Sequence, residues 1–291
     1  MELRHLRYFV ATAETGTVSG AATRLHLTQP GLSRQLRQLE RDLGVPLFDR
    51  STTRLELSTT GRALLPQARD LLQRADALRV AAAFHANGRL ERLTIGAPTV
   101  TLTDVIAPFI ATLAPDDPII DVLSADGLSP GEVLRSADLA VGTIRAAPPF
   151  RQVPLAVLPV WAYVPSGHRW AERAAVALTE LRNEPLILLP ATFTARQAID
   201  TASAGEPYTS VVEAANGTVA QALAAAGRGI AVASDDPRFG LRPLAVETGG
   251  GRLSIRLRAV WDTRHAAAGT LELFAARLGG FIRDRYDAPA S

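Results

Sequence analysis

Cysteine is absent from the 291 residues. That excludes disulfides, thiolate metal sites, a cysteine nucleophile and a peroxide-sensing thiol switch. Lysine is absent as well, so all 31 basic side chains are arginine. No lysine means no Schiff base and no P-loop lysine. No apolar run approaches the roughly 18 residues that would cross a membrane. The chain opens on charged residues and runs straight into a helical pattern, so no signal peptide is expected. The histidines, His5, His26, His85, His168 and His265, are scattered without metal-ligand spacing such as H-E-x-x-H. There is no G-x-S-x-G nucleophile elbow. Asp116 with Asp117, and Asp235 with Asp236, read as adjacent acids in turns rather than converging pairs. Neither a cofactor nor a catalytic site is expected.

What is present is a chain long enough for two domains and apolar enough, at 47% hydrophobic, to fill their cores. The net charge of +2 is unevenly distributed. Residues 1–89 carry thirteen arginines against eight acids, and the remainder carries eighteen against twenty-one. A basic head on a mildly acidic body fits a nucleic-acid-binding module joined to something else.

The head is organised around residues 18–44. Ser19 is placed to N-cap a short helix whose inner face holds Ala21, Ala22 and Leu25. Thr28 then caps a second helix, with Pro30 near its first position, where a missing N–H costs nothing. Leu32, Leu36, Leu39 and Leu43 form one apolar stripe. The opposite face shows Ser33, Arg34, Arg37, Gln38 and Arg41. Two helices, one turn, and a basic, amide-rich outer face predict a helix-turn-helix. An αα-hairpin inside an enzyme core is the alternative. The outward chemistry disfavours it, because Gln29, Ser33, Arg34 and Arg37 are side chains that reach base edges and phosphates. Residues 45–61 then give two short apolar runs (Leu47 with Phe48, Leu55 with Leu57) around a polar turn. That is a β-hairpin wing, its Arg50 and Arg54 placed to grip phosphate. The DNA-contacting set is therefore Ser19, Thr28, Gln29, Pro30, Ser33, Arg34, Arg37, Arg50 and Arg54.

Residues 1 to about 62 resemble the winged helix-turn-helix of the LysR-type transcriptional regulators. The matching positions include Leu6, Phe9, Ala21, Ala22, Leu25, Thr28, Gln29, Pro30, Ser33, Leu39, Glu40, Gly44, Leu47, Phe48, Arg50, Leu57, Thr59 and Gly61. The resemblance implies a DNA-binding homo-oligomer, usually a tetramer, whose C-terminal domain binds a small effector.

Leu3–Thr15 reads as an amphipathic helix beneath the head. Thr59 is expected to cap a long helix that runs to about His85, stops at Gly88 and is bent near its start by Pro66. Leu64, Ala68, Leu71, Ala75, Leu78 and Ala82 recur as a heptad seam over it. A seam without a core needs a partner, and in the family this linker pairs antiparallel with its twin.

From Leu93 strands and helices alternate, predicting open, largely parallel sheets. The fragments R-L-T-I-G-A, S-A-D-L-A-V-G, V-P-S-G-H-R-W-A and L-A-A-A-G-R-G-I-A-V resemble the family's two-lobed effector domain, itself similar to a small periplasmic binding protein. The fold class is thus an all-α winged helix-turn-helix head with a long linker helix, plus an α/β effector domain. The expected division is a head over 1–58, a linker over 59–88 and an effector domain over 89–291. Lobe I would take 91–160 and 265–291, and lobe II 161–264. Leu155–Val164 reads as one strand. Around Leu128–Ser136 the sequence departs from the family pattern.

Ligands in such folds bind beyond the carboxyl ends of strands, near helix N-termini. The positions that meet this rule are Thr99, Val100 and Thr101, Asp126, Gly142 and Thr143, Phe193 and Thr194, and Asn216 with Thr218. Those donors would suit a carboxylate. The expected function is a sequence-specific, effector-controlled regulator acting in the cytoplasm on the nucleoid. Its partners would be double-stranded operator DNA, a small molecule, a second copy through the linker helix within a homotetramer, and RNA polymerase. A solute-binding protein or a hydrolase carrying an accessory DNA-binding head is the alternative.

Overall fold

A computed structural model describes residues 1–49 and 55–286. The chain divides into two compact units, Met1–Gly88 and Arg89–Ser291.

In the first unit, helix α1 (Leu3–Thr15) buries Leu6 and Phe9 and ends at Gly16, whose φ of 67° lies in the left-handed region that closes helices. Helix α2 (Val18–Arg24) follows one turn later. Its cap is Thr17, whose hydroxyl accepts the Gly20 N–H at 3.0 Å, and not the expected Ser19, which lies exposed inside the helix. The two hydroxyls stand two residues apart, and the helix begins two residues earlier than a Ser19 cap would place it. Helix α3 (Gln29–Leu43) is capped by Thr28 and closed by Gly44. Leu32, Leu36 and Leu39 are buried against α1 and α2, and Leu43 is half-buried.

The wing is a two-residue ladder, β1 (Phe48–Asp49) against β2 (Glu56–Leu57). Arg50 and Arg54, expected to grip phosphate, lie outside the described residues. The wing is fastened to α3 by Glu40, whose carboxylate accepts the N–H groups of Leu47 at 2.9 Å and Phe48 at 3.3 Å. Phe48 also stands edge-on to Phe9, their ring centroids 5.6 Å apart.

Helix α4 (Thr59–Asn87) runs continuously through Pro66 to Gly88. Its cap is Ser58 rather than the expected Thr59: the Ser58 hydroxyl accepts the Gly61 N–H at 2.8 Å and donates to the Pro46 carbonyl at 2.7 Å. Gly61 is required there, since a Cβ would stand 2.0 Å from the Leu47 carbonyl oxygen. Leu64, Leu65, Ala68 and Leu72 pack onto the head core. Further along, Leu71 and Leu78 are 45% and 71% exposed.

The second unit holds two sheets. The first has strand order β4-β3-β5-β14-β6, from β3 (Arg92–Ala97), β4 (Ile119–Ser124), β5 (Leu139–Gly142), β6 (Phe150–Pro159) and β14 (Ser254–Asp262). β3 pairs parallel with β4 and β5, whereas β14 runs antiparallel to β5 and β6. The second sheet follows the order β10-β9-β11-β7-β12-β13, with β8 (Ala175–Ala177) on β12. Its other members are β7 (Trp161–Val164), β9 (Pro185–Leu188), β10 (Ser210–Glu213), β11 (Ile230–Ala233), β12 (Arg242–Thr248) and β13 (Gly251–Arg252).

Two boundaries differ from expectation. Leu155–Val164 is not one strand: β6 ends at Pro159 in the first sheet, and β7 begins at Trp161 in the second. Lobe II ends at Leu253 rather than residue 264, because β14 returns to the first sheet between β5 and β6. Both crossings meet where the Val160 N–H donates to the Leu253 carbonyl at 3.0 Å. An unbroken apolar run reads the same whether it stays in one sheet or changes sheets.

Over 99–110 runs helix α5, whose middle, Leu102–Ile106, widens to a π turn that buries Asp104. A short helix α6 (Pro130–Val133) follows β4. The second lobe carries α7 (Leu178–Leu181), α8 (Thr194–Ala202) and α9 (Gly217–Ala225). The chain's last helix, α10 (Ala268–Tyr286), lies on β6 and β14.

Candidate DNA-reading face and effector cavity

Helix α3 buries one face, so its other face is fixed by the same stripe that folds the head. Thr28, Gln29, Pro30, Arg34 and Arg37 are exposed on it and Ser33 is half-buried. Arg37 folds back along the helix, its Nε 3.3 Å from the Ser33 carbonyl and an Nη 3.4 Å from the Ser33 hydroxyl. Arg41 is tied to Gln38 at 2.6 Å, and Gln38 to Asp42 at 2.8 Å. Those two are held in a side-chain chain along the helix, while Gln29 and Arg34 stand at its opening turns. The surface is a helix end bearing amide, hydroxyl and guanidinium groups, suited to base edges and phosphates.

Between the two lobes of the second unit lies a cavity of about 360 Å³. It collects Val100, Thr101, Asp126, Gly142, Thr143, Phe193 and Thr194 from the expected set. Across the lobes the Thr143 and Thr194 hydroxyls meet at 2.9 Å. The remaining wall is mostly apolar and includes Val105, Leu128, Leu189, Ile255 and Leu257. Thr99 is not on the wall; it stands behind Asp126 and holds it. Asn216 and Thr218 are not on the wall either. The Asn216 side chain caps its own helix by accepting the Val219 N–H at 2.9 Å, and Thr218 is exposed. A helix N-terminus satisfied by its own asparagine has one donor fewer for a ligand.

The expected seat for a carboxylate at the start of α5 is partly taken, at Thr99, by a carboxylate of the chain itself. The Asp126 carboxylate accepts the Thr99 N–H at 3.0 Å, the Thr99 hydroxyl, and the Ser124 hydroxyl at 2.9 Å. Burial by itself raises the Asp126 carboxyl, but the Thr99 and Ser124 donors outweigh it and hold the group below the ordinary value.

Sequence reasoning missed a buried polar cluster on the same cavity. Asp104, within the π turn, pairs with Arg238 and accepts the Asp236 N–H at 2.8 Å. The Tyr286 hydroxyl donates to the Asp104 carbonyl at 2.9 Å, and Tyr163 donates to the Asp235 carbonyl. Gln221 closes the cluster with the Arg238 N–H at 2.7 Å and the Asp236 carbonyl at 3.0 Å. Asp104 and Tyr286 come from lobe I, whereas Asp235, Asp236 and Arg238 come from lobe II. Asp235 is 5% exposed, and burial, reinforced by the Asp104 charge and opposed by Arg238, pushes its carboxyl up to about 6. The adjacent acids 235 and 236 thus do converge with a third across the cleft. Only an acid in an otherwise apolar run (Thr101–Leu113) signalled that in the sequence. Among the described residues no group of histidines and acids has the makings of a metal site.

Fold and site together give a helix-turn-helix head joined to a two-lobed α/β body that holds a cavity. The model of a bacterial regulatory helix-turn-helix protein of the lysR family matches residues 3–62, and that of the LysR substrate binding domain matches residues 86–281. The chain belongs to the LysR family of bacterial transcriptional regulators, a family of regulators and not of enzymes. It is 30% identical to the transcriptional regulator IlvR of Caulobacter vibrioides over 246 residues, covering 80% of this chain and 82% of that protein. It is 42% identical to the regulator TfdT of Cupriavidus pinatubonensis over 116 residues, covering 38% of this chain and 51% of TfdT. The match to ClcR of Pseudomonas putida likewise spans only 32% of that protein. The fold is similar to that of full-length CbnR complexed with its target DNA, with a TM-score of 0.69 at 22% identity over 96% of this chain and 100% of CbnR.

Proposed function

We propose that this chain binds an operator as a homodimer or a homotetramer, and that a small molecule in the interlobe cavity sets its activity. The observation that carries the reading is the outer face of α3. Gln29, Ser33 and Arg34 would read base edges, with Arg37, Arg50 and Arg54 on phosphates and Ser19, Thr28 and Pro30 beside them. Two copies joined through α4 would bring two such helices to successive major grooves, so the operator would be an interrupted palindrome. Support for α4 as the joint comes from Leu71 and Leu78, large apolar side chains left in water on the heptad seam.

The effector would touch Val100, Thr101, Asp126, Gly142, Thr143, Phe193 and Thr194, with Thr99 positioning Asp126. A volume of about 360 Å³ suits a small organic molecule. The site of action would be the cytoplasm, with RNA polymerase at the promoter as a further partner; among the described residues no helix is long and apolar enough to cross a membrane. The test is a mobility shift of DNA from the gene's own upstream region at low salt, with unrelated DNA as competitor. Retention of the specific shift under competition is the expected result. No shift, or equal loss to any competitor, refutes the reading.

A further inference from the structure

We propose that Asp104 and Arg238 form a clasp that sets the angle between the two lobes, and that the lobes part in one step when this pair breaks. The proposal goes beyond the effector reading and holds whatever fills the cavity.

Asp104 reaches lobe II because its helix is locally widened. The Ala107 N–H donates to the Leu102 carbonyl, five residues back. The wider turn brings three consecutive side chains, Asp104, Val105 and Ile106, to the buried side, more than the single stripe of a regular surface helix turns inward. Asp104 then uses both carboxylate oxygens across the lobes. One pairs with Arg238, and the other accepts the Asp236 N–H at 2.8 Å. Its own carbonyl accepts the Tyr286 hydroxyl at 2.9 Å, which fastens the π turn to α10 within lobe I.

The receiving loop, 234–238, is fixed from inside lobe II. Gln221, fully buried, accepts the Arg238 N–H at 2.7 Å and donates to the Asp236 carbonyl at 3.0 Å. Tyr163 donates to the Asp235 carbonyl. Asp235 packs onto Gly217 at the start of α9, so closely that a Cβ there would stand 2.0 Å from its carboxylate. The Arg238 Nη1 donates to the Asp236 carbonyl at 2.9 Å, which aims the guanidinium at lobe I. With both sides held, a rotation of one lobe stretches the ion pair and the Asp236 hydrogen bond together.

Charge makes the break abrupt. Asp104 is 6% exposed, and a carboxylate buried without its cation is costly. Asp235 stands on the same cavity wall and feels its charge. A partial opening would strip Asp104 of Arg238 before water reached it, so intermediate angles are disfavoured and the lobes are either clasped or apart. The other interlobe pair, Arg285 with Asp236 at 2.8 Å, is more exposed and contributes less. Asp104, Asp235 and Tyr286 all line the cavity, so lobe angle and cavity shape change together.

The experiment is hydrogen exchange of the full-length protein at pH 7.5 without added ligand, read by mass spectrometry on short peptides. It compares the unaltered chain with Arg238→Met, Asp104→Asn and Arg285→Met. Arg238→Met and Asp104→Asn cut the pair from opposite lobes. Each is expected to speed exchange at least about tenfold in both 101–106 and 234–238, leaving the sheet peptides over β5 and β9 unchanged. Arg285→Met should change either segment by no more than about threefold. Unchanged rates in Arg238→Met and Asp104→Asn would overturn the proposal. Acceleration confined to the altered residue's own segment would also overturn it, because the pair would then hold only its own loop. Faster exchange of β5 and β9 in both variants would show that the pair supports the folding of each lobe rather than the angle between them, and would overturn it as well.

Discussion

Removing one hydroxyl at Ser58 should loosen the joint between recognition helix, wing and linker. The residue is 5% exposed, and its Oγ serves both sides of the joint. It accepts the buried Gly61 N–H at the start of α4 and donates to the Pro46 carbonyl on the loop leaving α3. Losing an N-cap costs about 1 kcal/mol, up to about 2 where the freed N–H is buried. The lost bond to Pro46 adds roughly 1 kcal/mol. Ser58→Ala should therefore cost about 2–3 kcal/mol. In a unit of this size that lowers the midpoint by roughly 10–15 °C. Thr59→Ala, at an exposed position one residue along, should stay within about 0.5 kcal/mol. Ser58→Asp restores the acceptor but not the donor, and should fall between. The assay is built into the sequence. Trp161, Trp170 and Trp261 all lie in the second unit. Tryptophan fluorescence thus follows that unit, while circular dichroism follows both. Ser58→Ala should lower only a transition seen by dichroism. Equal midpoints for Ser58→Ala and Thr59→Ala would refute the assignment of the cap, and a shift in the fluorescence transition would refute its confinement to the head.

Further consequences can be measured directly. Leu71→Asp with Leu78→Asp should convert the oligomer to monomers in sedimentation experiments while leaving the helix content of each protomer intact; an unchanged mass would remove α4 as the joint. Arg34→Ala should flatten discrimination between operator and mutated operator by about 1–3 kcal/mol, whereas Arg37→Ala should weaken all sequences alike and reduce the salt slope by about 1. Identical salt slopes for the two variants would contradict these roles. Asp235 has a folded-state value of about 6, raised from 3.8. A raised carboxyl favours the folded state at low pH, and its cost sets in as pH climbs from about 4 to about 6 and is complete above that. At roughly 1.4 kcal/mol per tenfold change in proton affinity, Asp235→Asn should stabilise the second unit by up to about 3 kcal/mol at pH 7.5 but by only about 1 kcal/mol at pH 4.5. Urea titrations followed by tryptophan fluorescence decide it; a gain of equal size at both pH values would rule out burial of the charge as its source.

The head was legible because its signals are local. A stripe of Leu32, Leu36 and Leu39 needs only helical spacing to announce which face is dry, and Gly16, Gly44 and Gly88 mark helix ends by a backbone conformation that other residues avoid. The two caps in the head differ from expectation by two residues and by one, and for one cause. At Thr17 against Ser19, and at Ser58 against Thr59, two hydroxyls compete for a cap. The winner is chosen by where the backbone turns out of the β region, which composition does not encode.

The second unit was legible as alternating strands and helices, but the candidate site was only half legible, and the missing half is the charged half. Loops at the carboxyl ends of strands identify themselves by position, which is why Thr101, Thr143, Phe193 and Thr194 could be placed on one cavity wall. A helix N-terminus looks the same in sequence whether it awaits an anion or already holds one. The Asp126 carboxylate lies 27 residues from the Thr99 N–H that it accepts, and Asp104 is 134 residues from Arg238. Such pairings depend on β3 lying beside β4 and on two sheets meeting at Val160 and Leu253, distances no local pattern contains. The sign of charge in a cleft is therefore a tertiary property. Donors read from the sequence set an upper limit on what a ligand can use, and the carboxyls folded onto them decide how much of that limit is left.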